Sequence, residues 1–573
     1  MMTMRARSVA LTLTLAVGVS LAACGGGAVR PAPAVVPSAN GAAPTASAGM
    51  RELTADQQAA QAISRMTFGP RPGEVERVTA MGTDRWIERQ LAPEAISDAT
   101  LESVLQGLPA WADSPKALVD SFPPQDVYLR KVRAARGLLP NVVMLPDSTD
   151  SVAIKTNNDR ANQYFNQFQA AKVIRAQMSE RQLVEVLTDF WENHFSVFAG
   201  KMPTRFTLLE YDRDVIRPRV LGKFRDLLGA VAHSPAMLYY LDNFQSAADS
   251  NHMTLPEYRI AQRTGRAPVN HRRNGLNENY GRELLELHTL GVDGGYTQKD
   301  VIAVARALTG WTIDDPRGGG GFIFREAQHD AEVKIVLGHT MGAGRGVEDG
   351  EEVLDILARH PATAHYIAFK LVRRFVSDTP SKALVDRAAE TFRKTDGDLK
   401  EVMRTILTSP EFFSRAAYRA KVKSPFELVV SARRIMNASP DTSASTVYQI
   451  QRMGQQLFGH LAPNGWPETG DQWINAGSLL DRINFGVQVG GGRLRFAPAE
   501  QWPGWAILST VPLDKQVDGV VDQLLGGNAS PETRSILFKG QNPLAGSNAP
   551  PPVRPSLRDL LGIALGSPEF QRR

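Results

Sequence analysis

Hydrophobic residues recur at helical spacing along most of the chain, which predicts a mainly helical protein. The clearest amphipathic segments cover residues 181–198, 278–290, 298–309, 362–376 and 425–436. A threonine N-cap at position 54 marks the expected start of the ordered chain. Strand signals are few, and those at 322–324 and 333–337 predict a hairpin. We therefore expect an all-α fold with a small β-hairpin near 322–337.

One helical pattern occurs three times along the chain. It begins at Phe224, Leu399 and Leu557 and is followed each time by a Ser-Pro pair, at Ser234, Ser409 and Ser567. Serine favours the N-cap of a new turn, and proline favours its first position. The copies lie too far apart for a solenoid repeat of ~20–50 residues. Either a helical block is duplicated, or the rules of helix capping alone produce the likeness.

The first residues have the composition of a secretory signal. Arg5 and Arg7 precede an apolar run over residues 9–21, and small residues lead to Cys24, the single cysteine of the chain. The run is shorter than the ~20 apolar residues that span a bilayer. The sequence Leu-Ala-Ala-Cys at 21–24 resembles the lipobox of bacterial lipoproteins, so we expect Cys24 to be lipidated. The alternative is an ordinary secretory signal that happens to be followed by a cysteine.

Three segments follow from this interpretation. Residues 1–23 are expected to be a lipoprotein signal peptide, residues 24–50 a disordered Pro/Ala/Gly tether, and residues 51–573 a single large helical domain. The lipid on Cys24 would attach the exported protein to a membrane of the cell envelope. Gly25 stands where inner-membrane lipoproteins carry a retention aspartate, which by analogy favours the outer membrane.

Composition excludes several classes of function. The formal net charge is +5 for 573 residues, which is too small to indicate a nucleic-acid partner. Acylation of Cys24 would leave no thiol for a disulfide, a thiolate metal site or a cysteine nucleophile. The chain also lacks the His-Glu-x-x-His, Gly-x-Ser-x-Gly and Walker-type motifs. The sequence therefore specifies neither a metal nor another cofactor.

The helix predicted over 278–290 gathers its polar residues on one face. At 100° per residue, that face carries Glu278, Asn279, Arg282, Glu283 and Glu286. One interpretation is a solvated face stabilised by i,i+4 ion pairs. The other is a carboxylate cluster lining a cleft, where it could perform acid–base catalysis or hold a cation.

Two histidines have neighbours that carry hydrogen-bonding groups. His194 lies in the middle of the apolar face of 181–198, with Asn193 beside it. An imidazole there is either a core side chain with satisfied nitrogens or a group that faces a cleft. His329 and Asp330 lie at the tip of the expected hairpin, where a turn accounts for them. The polar segment 245–277 is expected to be a surface loop.

Five blocks of the chain together resemble one bacterial family, the one catalogued as domain of unknown function 1800. The blocks are residues 189–195, 278–291 and 305–311, the His329-Asp330 pair with Lys334, and the Gly-Trp-Pro sequence at 465–467. The likeness covers about residues 56–570 in order. Two departures are modest: Gly281 stands where the family usually has alanine, and the segment before Gly465 is shortened.

The resemblance implies an exported or surface-associated protein, and it brings no reaction with it. Family genes often accompany those of a second secreted family, domain of unknown function 1501, which is distantly similar to sulfatases and phosphatases. A protein of that second family is thus an expected partner. Because the family motif includes the polar positions above, the resemblance implies a site formed by Asn193, His194, Glu278, Asn279, Arg282, Glu283, Glu286, His329 and Asp330.

Two functions are compatible with these residues. The first is an extracytoplasmic hydrolase that acts on a surface polymer or polysaccharide. In that case Glu283 or Glu286 serves as acid or base, Arg282 orients the substrate, and His194 and His329 complete the cleft. The second is a non-catalytic envelope lipoprotein that binds or positions a secreted partner. Alanine at Glu283 would abolish an activity and leave folding intact only in the first case.

Overall fold

Helices form nearly all of the regular structure in the computed structural model of the chain. The structure describes residues 50–108, 113–138, 147–266, 275–494, 498–539 and 554–573. The expected signal peptide, Cys24 and the tether up to residue 49 lie outside the described residues. All described residues fall in one compact unit.

Twelve α-helices lie between residues 50 and 266 of the described chain. They are α1 Ala55–Met66, α2 Glu74–Met81, α3 Thr83–Gln90, α4 Ala99–Gln106, α5 Pro115–Ser121, α6 Gln125–Ala135, α7 Ser148–Met178, α8 Gln182–His194, α9 Thr204–Glu210, α10 Phe224–His233, α11 Pro235–Tyr240 and α12 Leu255–Thr264. A π-helical turn, Tyr211–Ile216, continues α9. Three 3-10 turns accompany these helices, at Pro93–Ala95, Arg217–Arg219 and Asn243–Gln245.

Thirteen α-helices follow in the described residues from 275 onward. They are α13 Glu278–Glu283, α14 Gln298–Ala307, α15 Glu348–Arg359, α16 Pro361–Phe375, α17 Lys382–Lys394, α18 Leu399–Leu407, α19 Pro425–Ile435, α20 Ser445–Arg452, α21 Ala476–Gly490, α22 Trp505–Leu508, α23 Leu513–Leu525, α24 Pro531–Lys539 and α25 Leu557–Gly566. A second π-helical turn, Leu284–Thr289, continues α13. Two 3-10 turns lie at Gly470–Gln472 and Ala499–Gln501.

The all-α prediction is confirmed, and most helix positions agree with it. The segments predicted at 298–309, 362–376 and 425–436 are α14, α16 and α19, with ends displaced by one or two residues. Thr54 caps α1 as expected and forms a capping box with Gln57. The loop predicted over 245–277 was wrong in one part, because α12 lies within it. A capping box between Thr254 and Glu257 starts that helix despite its polar composition.

The strands form two small hairpins where one was expected. Strand β1, Trp311–Ile313, pairs with β2, Phe322–Phe324, and β3, Lys334–Val336, pairs with β4, His339–Met341; both pairs are antiparallel. The predicted pairing of 322–324 with 333–337 is therefore wrong. The missed signal is the turn at Leu337-Gly338, where φ is 50° and 83°. Two successive residues with positive φ form the tight turn that joins β3 to its own neighbour β4.

The three similar segments fold alike at their starts. Helices α10, α18 and α25 begin at the predicted residues, and each is followed by a serine that accepts a backbone hydrogen bond. Ser234 accepts from the amide of Ala236 and starts α11. Ser409 and Ser567 accept from the amides three residues on, at 3.2 and 3.3 Å, and begin short turns. Duplication of a helical block stays a prediction.

One large cluster of buried apolar side chains extends from Leu53 to Phe570. The closest helix contact near its C-terminal part is between α21 and α25. A Cβ atom at Gly486 would lie 2.5 Å from the backbone nitrogen of Gly566 and 2.7 Å from the carbonyl oxygen of Gly562. The backbones of α21 and α25 touch because glycine has no side chain to separate them.

Candidate functional site

The C-terminal end of α8 is joined directly to the Gly-Trp-Pro block. The side-chain amide of Asn193 donates to the carbonyl of Trp466 at 2.8 Å, and its oxygen accepts from the amide of Trp466 at 2.6 Å. The same amide also donates to Glu468 at 3.1 Å. Gly465 has φ of 74°, and a Cβ there would lie 2.7 Å from Oδ1 of Asn193. Asn193 therefore positions the 465–468 loop, and glycine is required for that contact.

His194 is buried, and both of its ring nitrogens have partners. Nε2 lies 3.1 Å from the carbonyl oxygen of His288, which can only accept, so this nitrogen carries the hydrogen. Nδ1 is then the acceptor for the amine of Lys370 at 2.9 Å. Burial, followed by the charge of Lys370, lowers the pKa of His194 well below its usual range. His194 is thus a neutral imidazole that links Lys370 to the backbone of the π-helical turn.

Lys370 lies on α16 at the partly exposed end of this chain of hydrogen bonds. Loss of water around the amine lowers the pKa of Lys370 to about 8, although the carboxylate of Glu468 acts in the opposite direction. The amine also lies 5.7 Å from the ring centroid of Tyr366, one helical turn earlier. An amine with this pKa is partly neutral near pH 8 and can accept a proton.

The π-helical turn replaces the last part of the helix predicted over 278–290. The amide of Leu290 donates to the carbonyl of Leu285 at 2.8 Å, five residues earlier, and the hydroxyl of Thr289 donates to the carbonyl of Leu284 at 2.6 Å. Gly281 lets α13 pack tightly on α14, because a Cβ there would lie 3.0 Å from the nitrogen of Ala305. Such widened turns occur frequently at functional sites.

His288 lies inside the π-helical turn and is fully buried. Burial lowers the pKa of His288 to about 3, so its ring is neutral. Within the described part of the chain, neither ring nitrogen has a hydrogen-bond partner. Aromatic rings surround it: the ring centroid of Phe195 lies 5.1 Å away and that of Tyr280 lies 6.3 Å away.

The polar face of α13 is only partly exposed and makes internal contacts. Glu278 pairs with Arg282 at 3.4 Å, with side-chain exposures of 40% and 41%. Both also bind the side chain of Gln298, at 2.7 and 3.0 Å. Asn279 is exposed, and its side-chain amide approaches the carbonyl of Leu241 at 3.4 Å. This part of the face has the i,i+4 pairing of a solvated helix surface.

The two remaining acids of the face have a different environment. Burial, with the charge of Glu286 second, raises the pKa of Glu283. Glu286 accepts a hydrogen bond from the hydroxyl of Tyr296 at 3.1 Å. Burial raises the pKa of Tyr366; the charge of Arg373 acts in the opposite direction and the charge of Glu286 in the same direction. We call Glu283, Glu286, Tyr366 and Lys370 the acid–lysine face.

His329 and Asp330 occupy a separate buried ion network. Arg306 binds the carboxylate of Asp330 through two nitrogens, at 2.6 and 3.1 Å. Nδ1 of His329 donates to the carbonyl of Thr309 at 2.8 Å, and Nε2 lies 3.4 Å from the carboxylate of Asp349. Lys334 joins the network through Asp349 at 2.8 Å.

This network joins β3 and the loop before it to α14 and α15. In the described chain, the ion pairs and hydrogen bonds of His329 and Asp330 are with these elements and with the 252–255 segment. The structure brings His194 together with the 278–289 segment through His288. It gives His329 and Asp330 other partners.

A buried pair of carboxyl groups involves the 189–195 block of α8. Glu192 of α8 and Asp212 of the first π-helical turn influence each other's pKa. Burial raises the pKa of Glu192 well above its usual range, whereas Arg217 overcomes burial and lowers the pKa of Asp212 to about 2. Lys172 pairs with Glu192 on the other side.

The residues that the structure describes contain no group of three or more His, Cys, Asp or Glu side chains arranged to hold a metal ion. None of the helices described is both long enough and apolar enough to cross a membrane.

Sequence reasoning missed Lys370, Tyr366 and Glu468. Lys370 stands directly before the buried Leu371 in a correctly predicted helix, where a lysine looks like ordinary surface. Its contact with His194 joins residues 176 positions apart, and helical periodicity carries no information on such a pairing. The local signal for a special role of Lys370 was the aromatic side chain of Tyr366, one helical turn earlier.

The sequence model of one protein family, described as Protein of unknown function (DUF1800), matches residues 61–572. This match includes all of the blocks that meet around His194 and around Asp330. No curated protein matches the chain, and no solved structure does.

Proposed function

We propose that this chain, which belongs to the DUF1800 family, is an exported, lipid-anchored hydrolase acting on a surface polymer or polysaccharide. The observation that carries the proposal is the 2.9 Å contact between the amine of Lys370 and Nδ1 of His194. It holds an amine with lowered pKa at the partly exposed end of a buried relay. Such an amine is suited to act as a general base near neutral pH.

Glu283 supplies the complementary group. A carboxyl with a raised pKa stays protonated to a higher pH than usual and can donate a proton to a leaving oxygen. Lys370 accepts a proton from the attacking water, and His194 orients its amine. Arg282 lies one residue before Glu283, where its guanidinium can bind a hydroxyl or anionic group of the polymer.

The location rests on the sequence of the N-terminal segment. The signal-like residues 1–23 and the Leu-Ala-Ala-Cys sequence support export and a lipid on Cys24. The outer membrane is the favoured address because Gly25 follows that cysteine. A tether of Pro, Ala and Gly would give the folded part reach over the surface it acts on.

The test is depolymerisation of isolated envelope polysaccharides by the full chain, followed as release of soluble fragments. We expect Glu283→Gln and Lys370→Met each to lower the rate by about 100-fold or more, with the melting temperature of Glu283→Gln unchanged. Glu278→Gln is the matched control: Glu278 lies on the same helix, its side chain is 40% exposed, and the variant should keep the rate within about twofold. No fragment release by the wild type, or equal release by all variants, contradicts the proposal.

A second candidate is a non-catalytic lipoprotein that positions a secreted partner, such as a protein of the domain of unknown function 1501 family. The pairing of Glu278 with Arg282 and Gln298 favours it, since those polar groups are already satisfied within the chain. This role predicts stoichiometric co-purification with the partner and no fragment release. Loss of co-purification in Glu278→Ala, with intact folding, would place the contact on α13.

A further inference from the structure

A groove of about 490 Å³ lies between α21, α24 and α25. Its walls are mainly aliphatic: Leu479, Ile483 and Val487 come from α21, Ile536 from α24 and Ile563 from α25. This volume lies within the range of ~300–1,000 Å³ that is typical of small-molecule sites.

The aliphatic wall from α21 is a continuous stripe. Leu479, Ile483 and Val487 are spaced four residues apart, so they lie above one another on one face of the helix. Leu479 is 42% exposed and Val487 is 37% exposed. Contiguous apolar surface left in water is costly and commonly marks a binding site.

Two glycines form the floor of the groove. Gly562 and Gly566 of α25 line it where that helix crosses α21. Because glycines bring the two backbones into contact there, these positions of α21 and α25 place no side chain over the crossing. A groove floor without side chains leaves room for an alkyl chain to lie along the aliphatic wall.

The charges around the groove are predominantly positive. Arg493, Arg558 and Arg572 line it, together with one acid among the described residues, Asp559. Arg558 pairs with Glu500, and Asp559 is engaged in the capping box with Ser556. Arg493 and Arg572 have no carboxylate partner among the residues that the structure describes. These two guanidinium groups are therefore available for an anion.

We propose that this groove binds the anion of a long-chain fatty acid, with the alkyl chain along Leu479, Ile483 and Val487 and the carboxylate at Arg572 or Arg493. The apolar stripe supplies the binding energy for the chain, and the arginines select a negatively charged head group. The site is separate from the acid–lysine face, and it requires neither hydrolysis nor a lipid on Cys24.

The test is titration of the full chain with cis-parinaric acid, a fluorescent fatty acid, followed by displacement with palmitate. We expect saturable 1:1 binding. Val487→Asp should weaken it at least about tenfold, because a carboxylate replaces an aliphatic contact and repels the ligand. Ile507→Asp is the matched control, since Ile507 is 68% exposed on α22 and does not line the groove; it should bind like the wild type.

A second arm tests the head group. Combined Arg493→Gln and Arg572→Gln should weaken palmitate at least about tenfold and leave displacement by hexadecanol, which has no charge, within about twofold. Absence of saturable binding, or unchanged affinity in Val487→Asp, overturns the proposal. So does preferential binding of an amphipathic peptide, or binding to anionic phospholipid vesicles without binding of free palmitate.

Discussion

The amine of Lys370 and Nδ1 of His194 lie 2.9 Å apart, although the two residues belong to helices far apart in the sequence. His194 in turn donates to the carbonyl of His288 at 3.1 Å. A neutral imidazole thus connects a partly exposed lysine to a buried π-helical turn. These contacts connect the 189–195 block to the 278–291 block. They also hold the amine of Lys370, whose pKa is lowered, at the site.

The lowered pKa of Lys370 makes stability depend on pH in a defined direction. Folded Lys370 releases its proton near pH 8, whereas an unfolded lysine does so near pH ~10.4. Between these values the unfolded chain binds more protons, so the free energy of unfolding rises with pH. Lys421 and Lys423, whose pKa values are lowered to about 8 and about 7, contribute slopes of the same sign.

Comparison with Lys370→Met isolates the contribution of this one amine. Urea unfolding of both proteins from pH 7.5 to pH 10.5 should show a shallower rise for the variant. Equal slopes would mean that Lys370 has an ordinary pKa in the folded protein.

Glu427 is expected to be the most costly single acid to neutralise. It lies buried between Arg374 and Arg573, at 2.9 and 3.0 Å, and these two charges overcome burial to lower the pKa of Glu427 to about 2. Glu427→Gln leaves two buried guanidinium groups without the negative charge that they pair with. We therefore expect a loss of about 3–5 kcal/mol in the free energy of unfolding.

The matched control for Glu427 is Asp396→Asn. Asp396 pairs with Arg359 at 3.0 Å, and both side chains are more than half exposed. Screened surface pairs contribute ~0–1 kcal/mol, so this variant should unfold almost as the wild type does. Similar losses of unfolding free energy in Glu427→Gln and Asp396→Asn would show that water reaches the ion pairs of Glu427.

Asp330 is expected to stabilise the fold through the bidentate contact with Arg306. Asp330→Asn removes a charge that is 1% exposed, so we expect a loss of about 3–5 kcal/mol in unfolding free energy. Asp126→Asn, which affects the exposed pair with Arg317, serves as the control. A stable Asp330→Asn protein that has lost fragment release would instead assign Asp330 to the chemistry.

The crossing of α21 and α25 tolerates no added side chain. Gly486→Ala places a Cβ atom 2.5 Å from the backbone nitrogen of Gly566, so one helix must move, at a cost of about 1–3 kcal/mol. Gly342→Ala is the control, because a Cβ there meets no atom within 4 Å. Thermal unfolding checks both; an unchanged melting temperature for Gly486→Ala would mean that the helices are not in backbone contact.

Local signals in the sequence predicted the helices well. The N-cap predicted at Thr54 is present, because capping follows from a rule that acts within one turn. The predicted pairing of 322–324 with 333–337 was wrong because the local strand signals do not specify which strand is the partner. The sequence prediction placed residues 278–290 at a regular 100° spacing. The π-helical turn at Leu284–Thr289 breaks that spacing, so the predicted helix faces are correct only up to Leu284.

The candidate site was less accessible to sequence reasoning. The apolar face around His194 left burial and a position at a cleft both open, and His194 is buried. Ion pairing at i,i+4 was one of two interpretations of the polar face of α13, and the Glu278–Arg282 pair is present. Lys370, Glu468 and the ion partners of Asp330 come from distant segments. Their selection depends on tertiary packing and desolvation, which residue spacing along one chain does not encode.

The measurement that tests the central claim most directly is the pH dependence of amine acylation at Lys370, read by mass spectrometry of the labelled full chain. Lys382, exposed and on the neighbouring α17, is the internal reference. We expect the rate at Lys370 to reach half its maximum near pH 8, whereas the amine of an unperturbed lysine would do so at pH ~10.4. A half-maximal rate near pH ~10 at Lys370 would contradict the account, because Lys370 would then be an ordinary charged amine.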